Sequence, residues 1–364
     1  MQILAVDVGT GTQDVLLFDT EKEPENALKM VMPSPTMLLA QAIRTVTGRG
    51  EDLLLDGVTM GGGPCAWAAE DHLKAGHRLF ATPDAARTFN DDLEQVAAMG
   101  VEVVSEDEAA TLGGARRLTM LDFDYPSLAR AFSTFGVDLD QVDVLAVAVF
   151  DHGAAPPGYS DRRFRFEYLA ERIQSGAGLA GFAFARDQIP QSMTRLRAAA
   201  FSAPADRPLV AMDTAPAAVL GALEDGQVRG QDEAIVANIG NFHTLAFSLR
   251  GGAITGLFEH HTGLLSQATL EALLAQLAAR TLSNEDLFAE HGHGALILDS
   301  RPASLDFVAV TGPRRRLLAG SALRPYLAVP YGDMMMAGCW GLVRACADVL
   351  PHTAQAIEGA IGPG

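Results

Sequence analysis

Short continuous runs of apolar residues alternate with stretches in which apolar positions recur every three or four residues. The short runs are typical of buried strands, and the longer spacing is typical of amphipathic helices. The predicted strands are residues 2–8, 13–19, 53–60, 101–104, 143–150, 208–212, 234–240, 243–249 and 306–311. One predicted helix face contains Leu270, Leu273, Leu274 and Leu277, and another contains Cys339, Leu342, Val343 and Cys346. This alternation predicts an α/β protein.

The stretch LAVDVGTGTQDVLLFD, residues 4–19, predicts a hairpin with a turn of small residues. The turn follows Asp7 and consists of Gly9, Thr10, Gly11 and Thr12. Glycines let backbone N–H groups approach a phosphate closely, and the threonine hydroxyls add donors. A carboxylate at the strand end can hold a hydrated Mg²⁺. The pattern favours phosphate binding, and a plain tight turn capped by Asp7 is the alternative.

A second stretch, AIVANIGNFHTLAFSL at residues 234–249, repeats this plan far along the chain. Each stretch contains a strand, a polar residue, a glycine turn with a threonine and a second apolar strand. Two such hairpins predict two similar domains that present their turns to a shared cleft.

Composition restricts the partners and the compartment. The chain has 364 residues, 48% of them hydrophobic, which suits two domains. A net charge of -18 would repel phosphate backbones and anionic lipid, so we expect neither nucleic acid nor a membrane as partner. Three scattered cysteines and an opening MQILAVDVG without a basic leader favour a reducing cytoplasm. The sequence does not predict the oligomeric state.

These motifs resemble the superfamily of actin, sugar kinases and heat-shock chaperone ATPases. Asp7 and the turn at residues 9–12 match its first phosphate motif, and Gly240 and Thr244 match the second in part. Three further segments follow in the superfamily's order, namely LVAMDTAPAAVLGAL, FVAVTGPRRRLL and VPYGDMMMAGCWGLVRA. The chain is also similar to a branch labelled pyruvate formate-lyase activating protein. An activating enzyme of the radical type needs three closely spaced cysteines for an iron–sulfur cluster, whereas Cys339 and Cys346 share an apolar helix face that predicts core packing.

The resemblance implies a two-domain actin-like ATPase fold, a duplicated ribonuclease H-like α/β unit with a cleft between the domains. It also implies ATP and Mg²⁺ as ligands, with Asp7 holding the metal and both turns holding phosphates. Pro- and Gly-bearing loops, DHGAAPPGYSDRR and SAPADRP, mark the predicted boundaries. Domain I would cover residues 1–150 with an α/β insertion at about 64–123, residues 151–205 would connect the domains, and domain II would cover residues 206–364.

The second turn departs from the superfamily pattern. Asn238 stands where an acid is usual, and Asn241 and His243 replace a second glycine and a small residue. Because asparagine is uncharged and cannot act as a base, ligand binding is better supported than phosphoryl transfer.

The adenosine-side turn departs as well, which leaves the choice of nucleotide base open. Pro313 replaces a glycine directly after Gly312. Arg314, next in the chain, would either cover an anionic ligand or lie in a solvated basic helix start.

Asp151 is the first candidate for a general base. It follows the apolar strand VLAVAVF, at the position where the superfamily's strand leads into the cleft. A carboxylate there could accept a proton from an attacking hydroxyl or water. Alternatively, Asp151 caps the following turn.

Histidines are concentrated in the second half of the chain, in NFHT, FEHHTG and HGHG. The candidates besides His243 are Glu259, His260, His261, His291 and His293. If their segments converge, these groups could form a metal or acid/base site, and local hydrogen bonding is the alternative.

The stretch VTMGGGPCAWA predicts an open helix N-terminus at Pro64 that suits an anion or a substrate. Close packing of strand and helix explains the three glycines nearly as well. The insertion that follows is where we expect substrate identity to be determined.

Three functions therefore remain open. The first is an ATP-binding phosphotransferase or ATPase that acts on an unknown small molecule or protein, with Asp7 for Mg²⁺ and Asp151 as base. The second is a nucleotide-responsive regulatory or activator protein without efficient transfer, which Asn238 favours. The third is a histidine-dependent hydrolase that uses the same cleft.

Overall fold

The computed structural model describes residues 1–363, and its strands form three sheets. In chain order the strands are β1 (Gln2–Val8), β2 (Thr12–Asp19), β3 (Leu28–Pro33), β4 (Asp52–Gly57), β5 (Leu79–Ala81), β6 (Glu102–Val103), β7 (Ala115–Met120), β8 (Val144–Val149), β9 (Ala183–Ala185), β10 (Leu209–Asp213), β11 (Glu233–Ile239), β12 (His243–Arg250), β13 (Ala253–His261), β14 (Gly294–Ile297), β15 (Val308–Thr311) and β16 (Tyr326–Leu327). Each run predicted as a strand overlaps an observed one.

Helices connect most of these strands. They are α1 (Pro35–Arg49), α2 (Pro64–Lys74), α3 (Pro83–Ala86), α4 (Leu93–Ala98), α5 (Glu106–Thr111), α6 (Tyr125–Ser133), α7 (Asp161–Gln174), α8 (Thr194–Phe201), α9 (Thr214–Ala222), α10 (Gly226–Arg229), α11 (Gln267–Ala279), α12 (Asn284–Ala289), α13 (Ala337–Val349) and α14 (Pro351–Ile361). Within residues 1–363, no helix combines the length and apolar character that crossing a membrane requires.

Two six-stranded sheets share one plan. The first has the order β3-β2-β1-β8-β10-β9, and the second has the order β14-β13-β12-β11-β15-β16. In each sheet the first strand of a hairpin, β1 or β11, also pairs in parallel with a later strand, β8 or β15. This repeated order is a duplicated ribonuclease H-like unit, and the predicted two-domain actin-like α/β fold is confirmed.

Strand β8 explains why the central strands are apolar throughout. Its residues Val144, Ala146 and Ala148 pack into the core that contains α13, whereas the alternate residues pack against α8. A strand covered by helices on both faces reads as a continuous apolar run rather than an alternating one.

The third sheet, β6-β5-β4-β7, is parallel and belongs to the insertion between β3 and β8. It starts at Asp52, before the predicted start of the insertion at residue 64. Strands β9 and β10 lie in the first sheet, although the sequence assigned residues 151–205 to a connection and residues 206–364 to domain II. The strands β8 and β10 pair in parallel, which draws this segment into the first sheet. We propose a domain boundary between β10 and β11.

Helices α9 and α13 cross between the two large sheets with backbone in contact with backbone. A Cβ atom at Gly221 would lie 1.7 Å from the carbonyl oxygen of Ala337, and one at Gly341 would lie 1.9 Å from that of Ala217. In the chain, helix α9 comes directly after β10 of the first sheet. Helix α13, near the C-terminus, packs against β1, β2 and β8 of the same sheet. The two halves are therefore joined through these helices. Cys339 and Cys346 are buried in α13, as their helix face predicted.

Candidate functional site

A cleft of about 1120 Å³ opens between the two large sheets. Both glycine turns line it, together with residues 150–159, part of the insertion and the start of α13. Most of the predicted phosphate-loop residues therefore face a single space. Those that line the cleft are Asp7, Gly9, Thr10, Thr12, Asn238, Gly240, Asn241 and Gly312.

The two turns have the same internal hydrogen bond. The amide of Gly9 donates to the carbonyl oxygen of Thr12 at 2.9 Å, and the amide of Gly240 donates to that of His243, also at 2.9 Å. The turns approach each other, because a Cβ atom at Gly11 would lie 3.0 Å from Nδ2 of Asn241. The pair of hairpins thus presents equivalent turns from opposite sides.

Asp7 lies in a close-fitting pocket at the base of the first turn. Its Oδ1 accepts a 2.5 Å hydrogen bond from the hydroxyl of Thr214, and a Cβ atom at Gly338 would lie 1.9 Å from its Oδ2. Asp14 is opposite Asp7 in the hairpin register. Burial raises the pKa of Asp7 to about 7 and that of Asp14 to about 8, and each carboxyl lies near a further acid.

The two carboxyls suit Mg²⁺, which binds oxygen ligands and usually takes one or two carboxylates with several waters. Oδ1 of Asp14 is buried and has no hydrogen-bond partner in the described part of the chain. Sequence reasoning missed Asp14, which the observed hairpin register places opposite Asp7.

We expect the metal-free protein to become less stable as the pH rises from about 7 to about 9, the range in which the buried histidines are neutral in both the folded and the unfolded state. Burial raises the pKa of Asp7, Asp14 and Asp151 to about 7, 8 and 6, so the folded state binds protons that the unfolded state has released. The free energy of unfolding then falls as pH increases over this range. Thermal melts in chelating buffer measure this slope. Asp14→Asn, which resembles the protonated acid, should flatten it, and a stability that rises over this range would contradict the expectation.

Asn238 and Gly312 are in contact on the other side of the cleft. A Cβ atom at Gly312, whose φ is 93°, would lie 2.5 Å from Oδ1 of Asn238. Three predicted residues, Gly11, Thr244 and Arg314, are not part of the cleft lining. Thr244 is fully buried, and its hydroxyl shares a 2.9 Å hydrogen bond with the hydroxyl of Thr262. Arg314 is exposed and lies outside the lining, and its backbone amide donates to the carbonyl oxygen of Ile239.

Asp151 lines the cleft, but its carboxylate is bound to backbone. Oδ1 accepts from the amide of Gly153 and Oδ2 from the amide of Leu196, each at 2.8 Å. These contacts favour the capping alternative that the sequence left open. Its role as a general base stays a prediction.

The glycines before α2 contact a carboxylate of the chain itself. The amide of Gly61 donates to both oxygens of the buried Asp122, which also pairs with Arg195 at 2.7 Å. A Cβ atom at Gly61 would lie 2.4 Å from Nη2 of Arg195. Close packing therefore accounts for this glycine.

Three of the histidines converge beside the second turn, at the cleft. The ring centroids of His243, His261 and His293 lie 4.7 to 5.1 Å apart. The ring of His243 also stacks on Phe150 at 4.0 Å. Burial lowers the pKa of His243 and of His293 well below the ordinary range, so both rings are neutral at pH 7.

His260 and His291 lie outside this cluster. The ring of His260 is 3.1 Å from the carbonyl oxygen of His261, and His291 is exposed in a turn with φ of 67°. The prediction grouped these two histidines with the others because sequence proximity does not distinguish neighbours that point apart on a strand or around a turn.

Behind the cluster, Arg165 of α7 joins two acids from different sheets. Its guanidinium donates to Asp213 at 2.6 Å and to Glu259 at 2.9 Å, and it is 1% exposed. Sequence reasoning named Glu259 but missed Arg165. A buried arginine in a long charged helix gives no local signal, because its neighbours Arg162 and Arg163 have the same side chain but are only half-buried.

Fold and cleft define the chain as a two-domain actin-like protein with a ligand-sized space between its halves. A family model described as "Putative pyruvate format-lyase activating enzyme (DUF1786)" matches residues 60–317, and the chain belongs to this family. The match includes the second turn and the histidine cluster but not Asp7 or the first turn. No curated protein matches the chain.

Solved structures with similar folds share little sequence with the chain. The activator of the 2-hydroxyisocaproyl-CoA dehydratase from Clostridium difficile, with bound ADPNP, is 8% identical with a TM-score of 0.35, over 100% of this chain and 98% of that one. The ROK hexokinase from Thermus thermophilus is 13% identical with a TM-score of 0.32, over 96% and 100%. The inorganic polyphosphate/ATP-glucomannokinase from Arthrobacter sp. strain KM is 12% identical with a TM-score of 0.35, over 96% and 99%. The strand order of the two large sheets defines the fold.

The cysteines do not fit the iron–sulfur cluster of a radical-type activating enzyme. Cys65 lies in α2, and Cys339 and Cys346 lie in α13. All three are buried, and the thiols of Cys65 and Cys339 donate to backbone carbonyl oxygens of Gly61 and Asp14. Because their positions differ so widely, the three thiolates cannot ligate one cluster.

Proposed function

We propose that the chain is a Mg²⁺-dependent nucleotide-binding protein of the phosphotransferase or ATPase type, with ATP as the ligand of its interdomain cleft. The observation that carries the proposal is the pair of equivalent turns, each closed by the same hydrogen bond, which approach each other across the cleft. Asp7 and Asp14 lie at the base of the first turn. Phosphates between the turns would receive backbone N–H donors from both halves. Local donors are needed because the negative net charge of the chain otherwise repels an anionic ligand.

Each group has a defined part in this proposal. Asp7 and Asp14 would hold hydrated Mg²⁺, and the turns at residues 9–12 and 240–243 would hold the phosphates. The space beside Asn238 and Gly312 would hold the nucleoside. The second substrate, a small molecule or a protein, would reach the cleft from the insertion, whose residues 87–93 line it.

Gly11→Val is expected to weaken ATP binding at least about tenfold, or about 1.4 kcal/mol. The new side chain would begin 3.0 Å from Nδ2 of Asn241 and would force the Asn241 side chain or the turn to shift where the phosphates are expected. Calorimetric titration with ATP and Mg²⁺ measures the effect. The matched control is Gly113→Val, because Gly113 is exposed and a Cβ atom there meets nothing within 4 Å. Equal affinities for the two folded variants would refute the turns as a phosphate site.

A regulatory protein that closes on nucleotide without efficient transfer is the second candidate. Two observations favour it: Asn238 supplies no charge, and both carboxylate oxygens of Asp151 are occupied by backbone amides. Phosphate release from saturating ATP separates the two candidates. Multiple turnovers per protein favour the enzyme, and tight binding with negligible release favours the regulator.

A further inference from the structure

The histidine cluster has the composition and spacing of a metal site. His243 starts β12, His261 ends β13 directly opposite it, and His293 precedes β14. Each of the three offers a ring nitrogen, and these atoms lie within 4.8 Å of one another. Three imidazoles supplied by three adjacent strand ends form a nearly rigid set, because the backbone positions are held by ladder hydrogen bonds.

The ring nitrogens in this cluster lack the hydrogen bonds that buried histidines normally make. Neither Nδ1 nor Nε2 of His293 has a partner among the described residues, and the same holds for Nε2 of His243. His293 is 2% exposed. A neutral imidazole has one donor and one acceptor, and leaving such groups buried without partners is unfavourable. Packing alone therefore does not explain the cluster, whereas a bound cation would occupy one nitrogen of each ring.

A carboxylate and two guanidinium groups lie beside the cluster, and one of the guanidiniums, that of Arg162, donates to the carbonyl oxygen of Gly292. Glu259 lies beside His293, with Oε2 3.8 Å from Nδ1, and it is held in place by Arg165. Arg165 also pairs with Asp213, so a single guanidinium is shared by two carboxylates. A carboxylate next to the second nitrogen of a histidine is the usual support for a metal ligand, since it orients the ring.

We propose that His243, His261 and His293 bind one divalent transition metal ion of the Zn²⁺ class. Imidazole ligands select Zn²⁺ and its neighbours over Mg²⁺, which requires oxygen ligands. Three protein ligands leave a coordination position free, the arrangement of catalytic rather than structural zinc sites. His243 and His152 line the cleft, so the free position is accessible to a cleft ligand or to His152 itself. This site is distinct from the proposed Mg²⁺ position and does not depend on nucleotide binding.

The test uses Co²⁺ as a probe on the full chain without an affinity tag, in the absence of nucleotide. After removal of metals with a chelator, the wild-type protein is expected to bind one equivalent of Co²⁺ with the visible absorption of low-coordinate cobalt, and Zn²⁺ should displace it. His261→Ala and His293→Gln should each lower the affinity by at least about 100-fold, since even residues behind a ligand contribute about 10- to 100-fold.

The matched control is His291→Asn. His291 is exposed, lies two residues from His293 and has a positive φ that asparagine tolerates. It should bind Co²⁺ like the wild type. His261 is only half-buried, so His261→Ala is expected to fold, and circular dichroism checks this. Absence of stoichiometric Co²⁺ and Zn²⁺ binding by the wild type, or wild-type affinity in folded His261→Ala, would overturn the proposal.

Discussion

Arg165→Met is expected to lower the free energy of unfolding by about 3 to 5 kcal/mol, because it removes the guanidinium that two buried acids share. In the described structure Asp213 and Glu259 are 5% and 0% exposed. Both are acids, so neither can neutralise the charge of the other. Without Arg165 both must either stay ionised in a low-dielectric site or take up a proton. Urea unfolding, followed by circular dichroism, measures the loss.

Two further variants show whether unpaired charge is the cause. Arg163→Met, in the same helix, removes a half-buried arginine that pairs with Glu285 at 3.6 Å and lies over the ring of Phe288, and it should cost no more than about 1 kcal/mol. Adding Glu259→Gln to Arg165→Met removes one unpaired carboxylate and should restore part of the stability. A double variant no more stable than Arg165→Met would contradict this explanation.

Gly221→Val is expected to destabilise the protein by about 3 kcal/mol or more, the upper range for overpacked cores. The first carbon of the side chain would lie 1.7 Å from the carbonyl oxygen of Ala337, which is backbone and cannot rotate away. Helices α9 and α13 would have to separate along their whole crossing. Because α13 also carries Gly338 against Asp7, we expect the cleft to be disturbed together with the core.

The control for this prediction is Gly359→Val in α14. Gly359 is also helical, but it is exposed and a Cβ atom there meets nothing within 4 Å. Its replacement should leave the unfolding midpoint nearly unchanged, since valine has a better helix propensity than glycine. If both variants unfold at the same urea concentration, close approach of the helices is not important for stability.

The central strands were predictable because burial on both faces makes them continuously apolar. Peripheral strands gave weaker patterns. β3, LKMVMP, is an exposed edge strand with a lysine, and β13 contains a glycine and two histidines, so neither showed a strand-like run. Strand β4 was recognised as a strand, but no local pattern shows that it belongs to the third sheet.

For the site, local patterns were informative where one segment carries the chemistry. Asp7 and its turn lie within ten residues, and their position at the cleft followed from the duplicated hairpin. The histidine cluster and Arg165 depend on long-range packing. His243 and His261 are directly opposite in the β12–β13 register, but that relation is invisible unless β13 is recognised first.

Helix α13 has a consequence for how the chain is made. Domains usually fold in the order in which the ribosome produces them. Here one face of the first sheet is covered by residues 337–349, whereas the helices α9 and α11, which cover the second sheet, are synthesised before them. We therefore expect the second half to be completed before the first. Until α13 emerges, the nascent first sheet exposes an apolar face that chaperones can bind.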